Sequence, residues 1–382
     1  MDKKILLITG DYPPIVSGIS TFFYNICRNL PEEHIIILAP QVKGAWDFDR
    51  EQKNKVYRLP FLSGGSRLSQ IRKTIFFLFY ALRLIKKENI SLLICAHPVS
   101  SGFSGLVFRK LFGLRYLIYG WGGESKKYKY SLLISKILKL IVRNAELIIV
   151  DSEYTYREYL NLNNQKNNIV KIPPGVDLET FNPQSDSTKI KERYNLMGKK
   201  VLLTVARLVE RKGQDMVIRS LAKVKSEIPN VVYLIVGDGP LKDSLNCLVR
   251  QYNLEDYVIF IGEIDHREVK SFYNACDIYV MPNRETSGSE IVEGFGISFI
   301  EASACGKPVI GGRSGGVGDA VIEGVTGILV NPNSCDEIAN AIIGLFTDTD
   351  YAQRLGKNGR DRVERYFSWQ RVADQFRQLL CL

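Results

Sequence analysis

Histidine is scarce, with three in 382 residues, at positions 34, 97 and 266. That leaves little from which to build a histidine-ligated metal centre. The seven cysteines (27, 95, 247, 276, 305, 335 and 381) are scattered, odd in number and without Cys-x-x-Cys spacing. This argues against a zinc site and a disulfide frame, and for a reducing compartment. No apolar run reaches the roughly 20 residues that a bilayer span needs. Met1-Asp2-Lys3-Lys4 leads straight into a short apolar strand, which is not the pattern of a signal peptide. Short-period repeats and low-complexity tracts are missing, as are the three spaced glycines of a dinucleotide fingerprint. Acidic residues are nearly missing from one stretch: between 60 and 145 there are 2, against 15 Lys and Arg.

What is present is ordinary for a globular chain: 45% apolar and 24% charged residues. The length suits two or three domains, each able to bury a sizeable core. The net charge of +10 is uneven. Residues 1–178 carry 26 basic and 14 acidic side chains, and residues 179–382 carry 25 and 27. A one-sided basic field points to a polyanionic partner, either nucleic acid or an anionic membrane surface.

Apolar runs of strand length alternate with helical patterns twice over. The first set starts at Lys4–Thr9, breaks at Gly10-Asp11-Tyr12-Pro13-Pro14, and enters a helix near Ser17-Gly18. Strands follow at 35–39, 92–96, 116–119 and 147–150. Residues 41–56 read as a loop and an edge strand. Two basic, aromatic-bearing helices are expected at 68–87 and 126–143. Pro173-Pro174-Gly175-Val176-Asp177 reads as a linker. The second set has strands at 201–206, 233–236, 258–262, 278–281, 309–311 and 327–330. Helices are expected between them at about 213–226, 240–252, 266–275 and 294–305. The pattern predicts two parallel-sheet domains, 1–178 and 179–365, with a final segment 366–382.

Candidate chemistry gathers where strands end. Glu293-Gly294-Phe295-Gly296-Ile297 precedes a helix carrying Glu301, so two carboxylates flank a helix start. That start offers free N–H groups to phosphate or sugar oxygens. Arg207 and Lys212 follow the first strand of the second set and suit a diphosphate. Gly237 lies in a Gly-Asp-Gly turn, a common feature with little specificity by itself. Gly262-Glu263-Ile264 ends a strand; its backbone can read a nucleobase or simply join a loop. Asp11, His97, Trp121 and Glu124 are the candidates in the first set. His97 fits packing and hydrogen bonding as well as catalysis. Asp47-Phe48-Asp49 and Asp348-Thr349-Asp350 have Asp-x-Asp spacing but lie in polar stretches, and are read as surface loops without metal.

As a set these segments resemble the retaining family 4 glycosyltransferases of GT-B fold. The carrying residues are Asp11-Tyr12-Pro13-Pro14 with Gly18, Pro174-Gly175-Val176-Asp177, Arg207 with Arg211-Lys212-Gly213, and Gly237-Asp238-Gly239-Pro240. Val292 to Glu301, Ser314-Gly315-Gly316 and Phe367-Ser368-Trp369 complete them. The similarity is nearest to the branch containing phosphatidylinositol-mannoside mannosyltransferases. It implies an α/β fold of two Rossmann-like, doubly wound domains facing across a cleft. The C-terminal helix would cross back to the N-terminal domain.

The resemblance further implies a hexosyltransferase working on a nucleotide-sugar, with retention by same-face attack and no metal or other cofactor. Arg207 and Lys212 would hold the diphosphate. Glu293, with the backbone of Phe295, Gly296 and Ile297, would hold the donor sugar, and Glu301 the ribose. Gly18 would let its loop approach donor and acceptor. GDP-mannose is the favoured donor and UDP-sugars remain open. The acceptor is expected to be lipid-linked or a glycan, reached from the cytoplasmic face with the two basic helices on anionic membrane. A nucleotide-sugar epimerase is the alternative enzyme, and a nucleic-acid binder leaves the Arg207, Lys212 and Glu293 set unexplained. Trp121 stands where many relatives carry a histidine, which suggests ring stacking on a sugar.

Overall fold

A computed structural model describes residues 4–60, 67–128, 131–163, 168–286 and 292–380. The side chains of residues 67–71, 73, 125, 127 and 266 lie outside that description. The N-terminal Met1 to Lys3, Lys129 and Cys381 also fall outside it, and with them part of the basic-helix expectation. The chain divides into two compact units, Met1–Pro174 with Trp369–Leu382, and Gly175–Ser368.

The first unit is built on a seven-stranded parallel sheet. Its strands are β1 (Lys4–Ile8), β2 (Ile35–Pro40), β3 (Lys55–Leu59), β4 (Ile90–Cys95), β5 (Arg115–Gly120), β6 (Leu147–Val150) and β7 (Ile169–Lys171). Their order is β3-β2-β1-β4-β5-β6-β7. The strands read as unbroken apolar runs because helices cover both sheet faces, so neither face alternates with water. Leu6, Ile8 and Leu93 pack on one side, and Ile5, Leu7 and Ile94 on the other. The helix Trp369–Leu380 belongs here: Trp369 and Phe376 pack on Phe22 of the helix Gly18–Asn29.

The second unit carries six parallel strands: β8 (Lys200–Val205), β9 (Val231–Val236), β10 (Val258–Gly262), β11 (Ile278–Met281), β12 (Val309–Gly312) and β13 (Gly327–Val330). The order is β10-β9-β8-β11-β12-β13. In each sheet the chain first winds one way and then the other. The reversal lies between β1 and β4 in the first sheet, and between β8 and β11 in the second. Loops leaving two such neighbours turn to opposite faces and open a crevice at the strand C-termini. Each unit's candidate residues stand along its own crevice.

Two expectations need correction. Residues 41–56 do lead into an edge strand, β3, but the segment before it holds the helix Ala45–Glu51 and is not all loop. The helix expected from 294 begins at Ile297, because Gly296 before it takes φ +93, a left-handed conformation open to glycine. A side-chain Cβ at Gly296 would also meet the Phe299 ring at 2.7 Å.

Candidate active site

In the second unit the loop after β8 makes a short 3₁₀ turn, Glu210–Lys212, and the loop after β11 passes beside it. Arg284 N–H donates to the Arg211 carbonyl at 2.9 Å, and its guanidinium pairs with Asp215 at 3.0 Å. The two loops are thereby stapled together. Their side chains converge on Glu293. Lys212 Nζ donates to Glu293 Oε2 at 2.6 Å, Asn283 Nδ2 donates to the same oxygen at 3.1 Å, and Arg211 also pairs with it. All three donors meet Oε2. Among the described residues Oε1 has no hydrogen-bond donor, so one oxygen of the carboxylate carries all three contacts.

Charge explains why an acid is tolerated there. Burial by itself pushes the Glu293 carboxyl up, but Lys212 and Arg211 outweigh it and hold the value down, to about 2. The group is therefore ionised, with two cations against it. Asn283 is wholly buried, and Gly312 opposite it has no room for a side chain: a Cβ there would lie 2.0 Å from the Asn283 carbonyl oxygen.

The other donor-side candidates are distributed around this cluster. Arg207 is exposed at the end of β8, where its carbonyl accepts from Gln214 Nε2 at 3.2 Å. Glu301, one turn into the helix Ile297–Ala304, accepts from the buried Tyr273 hydroxyl at 2.7 Å. Gly237 N–H donates to the Gly262 carbonyl at 2.8 Å, joining the turns after β9 and β10. Glu263 is exposed, while Ile264 packs on the core of the unit. Phe295 is also core, edge-on to Phe367, so only its backbone faces the helix start. Arg211, Asn283 and Tyr273 are functional candidates that the sequence patterns do not single out. Arg211 sits inside a motif that carries the family resemblance, and Asn283 is two residues past a strand end at the crevice; both positions are a usable signal.

In the first unit Asp11 and His97 meet across the reversal of the sheet. His97 Nε2 lies 3.8 Å from Asp11 Oδ2, and the His97 backbone N–H donates to Ser101 Oγ at 2.9 Å. Gly18 is the first residue of its helix, and the preceding Ser17 caps it by accepting from Ser20 N–H at 3.1 Å. Trp121 departs from the stacking expectation. Its indole N–H donates to the Ala96 carbonyl at 2.8 Å, and its ring is packed by Phe22, Phe23 and Tyr119. The ring builds the sheet edge. Glu124 likewise turns inward, accepting from the Trp121 backbone N–H at 2.9 Å.

Both Asp-x-Asp segments belong to helices and not to loops, although Asp348, Thr349 and Asp350 are exposed as expected. Asp49 lies on the helix Ala45–Glu51 and grips the buried Arg58 at 2.9 and 2.7 Å. Asp348 caps the helix Thr349–Tyr366, accepting from Tyr351 N–H at 2.9 Å.

Two family models tile this chain. Residues 16–180 match "Glycosyltransferase Family 4", and residues 186–362 match "Glycosyl transferases group 1". The chain belongs to the family 4 glycosyltransferases. The enzyme is similar to a GDP-mannose-dependent alpha-(1-6)-phosphatidylinositol monomannoside mannosyltransferase of Mycolicibacterium smegmatis, at 29% identity over 98% of each chain. A monoacylated-substrate counterpart from Corynebacterium glutamicum is 27% identical over 99% of this glycosyltransferase and 98% of its own length. Among solved structures, sucrose-phosphate synthase from Thermosynechococcus elongatus superposes with a TM-score of 0.83, at 27% identity over 99% and 98% of the two chains. Anabaena HepE in complex with UDP gives 0.84 at 20% identity over 99% of each, a likeness of GT-B fold.

Proposed function

We propose that this glycosyltransferase moves mannose from GDP-mannose to a lipid-linked or glycan acceptor, with retention and without a metal ion. The observation that carries the reading is the half-held carboxylate of Glu293 beside Lys212 and Arg211. Breaking the bond between the sugar C1 and its phosphate oxygen sends the electron pair to the leaving diphosphate. Fixed cations stabilise that charge where it develops, and need no reorganisation at the moment of reaction. Lys212, held beside Glu293, supplies one of these cations to a phosphate oxygen. Glu293 Oε1 takes a hydroxyl of the sugar and fixes the reacting carbon relative to the phosphate. The acceptor hydroxyl attacks the face that the diphosphate leaves, and its proton passes to a leaving-group oxygen. Glu301, oriented by Tyr273, binds the ribose.

The relatives' GDP-mannose dependence supports the choice of donor. Hydrolysis rates with GDP-mannose, UDP-glucose, UDP-galactose and UDP-N-acetylglucosamine test it. The expected result is turnover with GDP-mannose at least tenfold above the others, unchanged by EDTA. Preference for a UDP-sugar removes the donor assignment, and loss of turnover in chelator removes the metal-free mechanism.

The acceptor reading is supported by a surface of the first unit. Three neighbouring helices present cations and apolar side chains outward. Arg67–Glu88 exposes Arg72, Ile75, Phe79, Arg83, Lys86 and Lys87; Arg83 lies 5.3 Å from the Phe79 ring centroid. Ser100–Phe112 ends in exposed Arg109, Lys110, Leu111 and Phe112. Leu132–Asn144 exposes Leu132, Leu133, Lys136, Lys139, Leu140 and Arg143. Among the described residues no helix is long and apolar enough to cross a membrane. Such a face instead lies on an anionic bilayer, its leucines in the headgroup boundary and its cations on lipid phosphates. At the cytoplasmic leaflet it would bring the enzyme to a lipid-linked acceptor. Flotation with phosphatidylglycerol liposomes is expected to carry the protein upward at low salt. Leu132→Glu with Leu133→Glu is expected to abolish this. Flotation that ignores both salt and these changes rejects the surface.

A further inference from the structure

Beneath the loop Gly120–Glu124 the first unit encloses acids that the transfer reaction does not use. Glu124 Oε1 accepts the Trp121 N–H at 2.9 Å, and Glu158 Oε2 accepts the Gly123 N–H at 2.6 Å. Two carboxyl groups thus hold two backbone N–H groups of one loop. Glu158 is buried, on the helix Glu153–Asn163. Glu124 as a residue is half-buried, yet its second oxygen, Oε2, is closed off from solvent and has no hydrogen-bond partner. The Tyr159 hydroxyl, on the same helix as Glu158 and wholly buried, is also without one. A third acid, Asp151, is buried next to them, its Oδ1 accepting from Thr155 Oγ1 at 2.7 Å and Ser152 Oγ at 3.1 Å.

We propose that Glu124 is a positioning residue that works in its protonated form, and that this single proton keeps the Trp121–Glu124 loop seated on the sheet edge. The groups facing it are Glu158 and Tyr159 from the helix, Asp151 from the loop after β6, and Tyr128 just beyond its own short helix, where Lys126 also lies. Among the described residues no salt bridge reaches Glu124. An ionised Glu124 would place a second charge against Glu158 in a site shut off from water. A neutral carboxyl keeps Oε1 as the acceptor for Trp121 N–H and carries its O–H on Oε2, the unpartnered oxygen. Burial, reinforced by the Glu158 carboxylate, pushes Glu124 up to about 8 from the usual 4.5. Folding therefore takes up a proton that the unfolded chain releases. The stability this supplies is complete below about 4.5 and is lost as pH rises through about 8.

The loop sits at the C-terminal end of β5, and Trp121 ties it to Ala96 beside His97, so its position bears on the candidate residues next to it. The inference rests on the enzyme being a glycosyltransferase, and not on which sugar or acceptor it uses. The test compares the whole enzyme with Glu124→Gln and Glu124→Ala by pH-rate profile, and by infrared difference spectroscopy of the carboxyl stretch. The unmodified enzyme is expected to lose activity by about tenfold as pH rises from 7 to 9.5. It should show a protonated-carboxyl band that disappears over the same range. Glu124→Ala should lower kcat/KM by about tenfold or more at pH 6.5. Glu124→Gln, which keeps shape without charge, should rescue it to within about threefold and remove both the alkaline fall and the band. If Glu124→Gln is as impaired as Glu124→Ala at every pH, the charged form is needed and the idea is wrong. If Glu124→Ala does not fold, the infrared band still decides, since a band that survives Glu124→Gln belongs to another group.

Discussion

Lys212→Ala is expected to lower kcat/KM for sugar transfer by on the order of a hundredfold or more, the usual cost of removing one donor aimed at a developing charge. The ammonium has two tasks, which separate experimentally. Its task towards the leaving diphosphate is lost in the kinetics. Its task towards Glu293 is lost in stability, because among the described residues the anion then keeps Arg211 and Asn283 alone. The sign of the pH effect follows from the depressed carboxyl. In the unmodified enzyme the stability that Glu293 contributes is present above about 4.5 and is lost only as pH falls towards about 2. Without Lys212 the carboxyl titrates higher, so acid melting should begin at a higher pH. Initial rates with the best donor, together with thermal melts from pH 3 to 7, check both halves. An alanine variant with more than a third of the original turnover would show that Lys212 is not the stabilising cation.

Arg58→Ala is expected to produce the largest loss of stability. Arg58, on β3, is 4% exposed and spends every part of its guanidinium on neighbours. It meets both oxygens of Asp49, donates to the carbonyls of Pro40 and Pro13 at 3.1 and 2.7 Å, and lies over the Tyr12 ring. Truncation leaves a half-buried carboxylate with only Gln52 Nε2, at 3.0 Å, and strips two carbonyls of their donor. Breaking a pair of this kind costs about 3–5 kcal/mol, because the remaining charge keeps its desolvation penalty. For a unit of this size that corresponds to a fall in Tm of roughly 6–20 °C. Calorimetry measures it directly. The contact with Pro13 adds a kinetic consequence, since that loop also carries Asp11: kcat should fall even where the variant remains folded. The double change Arg58→Met with Asp49→Leu, which removes both charges, should recover most of the stability and little of the rate.

Glu293 is legible in the linear order of residues, and so is Lys212. Both lie at strand or helix ends in glycine-bearing segments, where local patterning marks a loop at the edge of a parallel sheet. Their direct pairing is not legible there, because it joins positions 81 residues apart through the neighbouring loops after β8 and β11. Arg211 shows the same limit. Beside Lys212 in sequence it looks like one more surface cation, and only the 3₁₀ turn puts both side chains on one carboxylate. Trp121 shows the opposite failure. An indole near an expected sugar site suggests stacking, but Phe22, Phe23 and Tyr119 claim the ring, and aromatic packing of that kind has no signature along the chain. Asp49 reads as loop because Asp-x-Asp in a polar stretch resembles one. Its partner Arg58 supplies the reason for its burial.

Spacing and composition along the chain were enough for the alternation of strands and helices, the two sheets, the crevice loops and the basic bias of the first half. Each depends on a pattern within short windows, and short windows carry helical and strand periods fully. Which charges meet was decided by tertiary structure alone. Coulomb energy and desolvation depend on distance and on access to water, and neither is a property of position along the chain. That is why an acid such as Glu293 is held ionised, and another, Glu124, is pushed towards its neutral form.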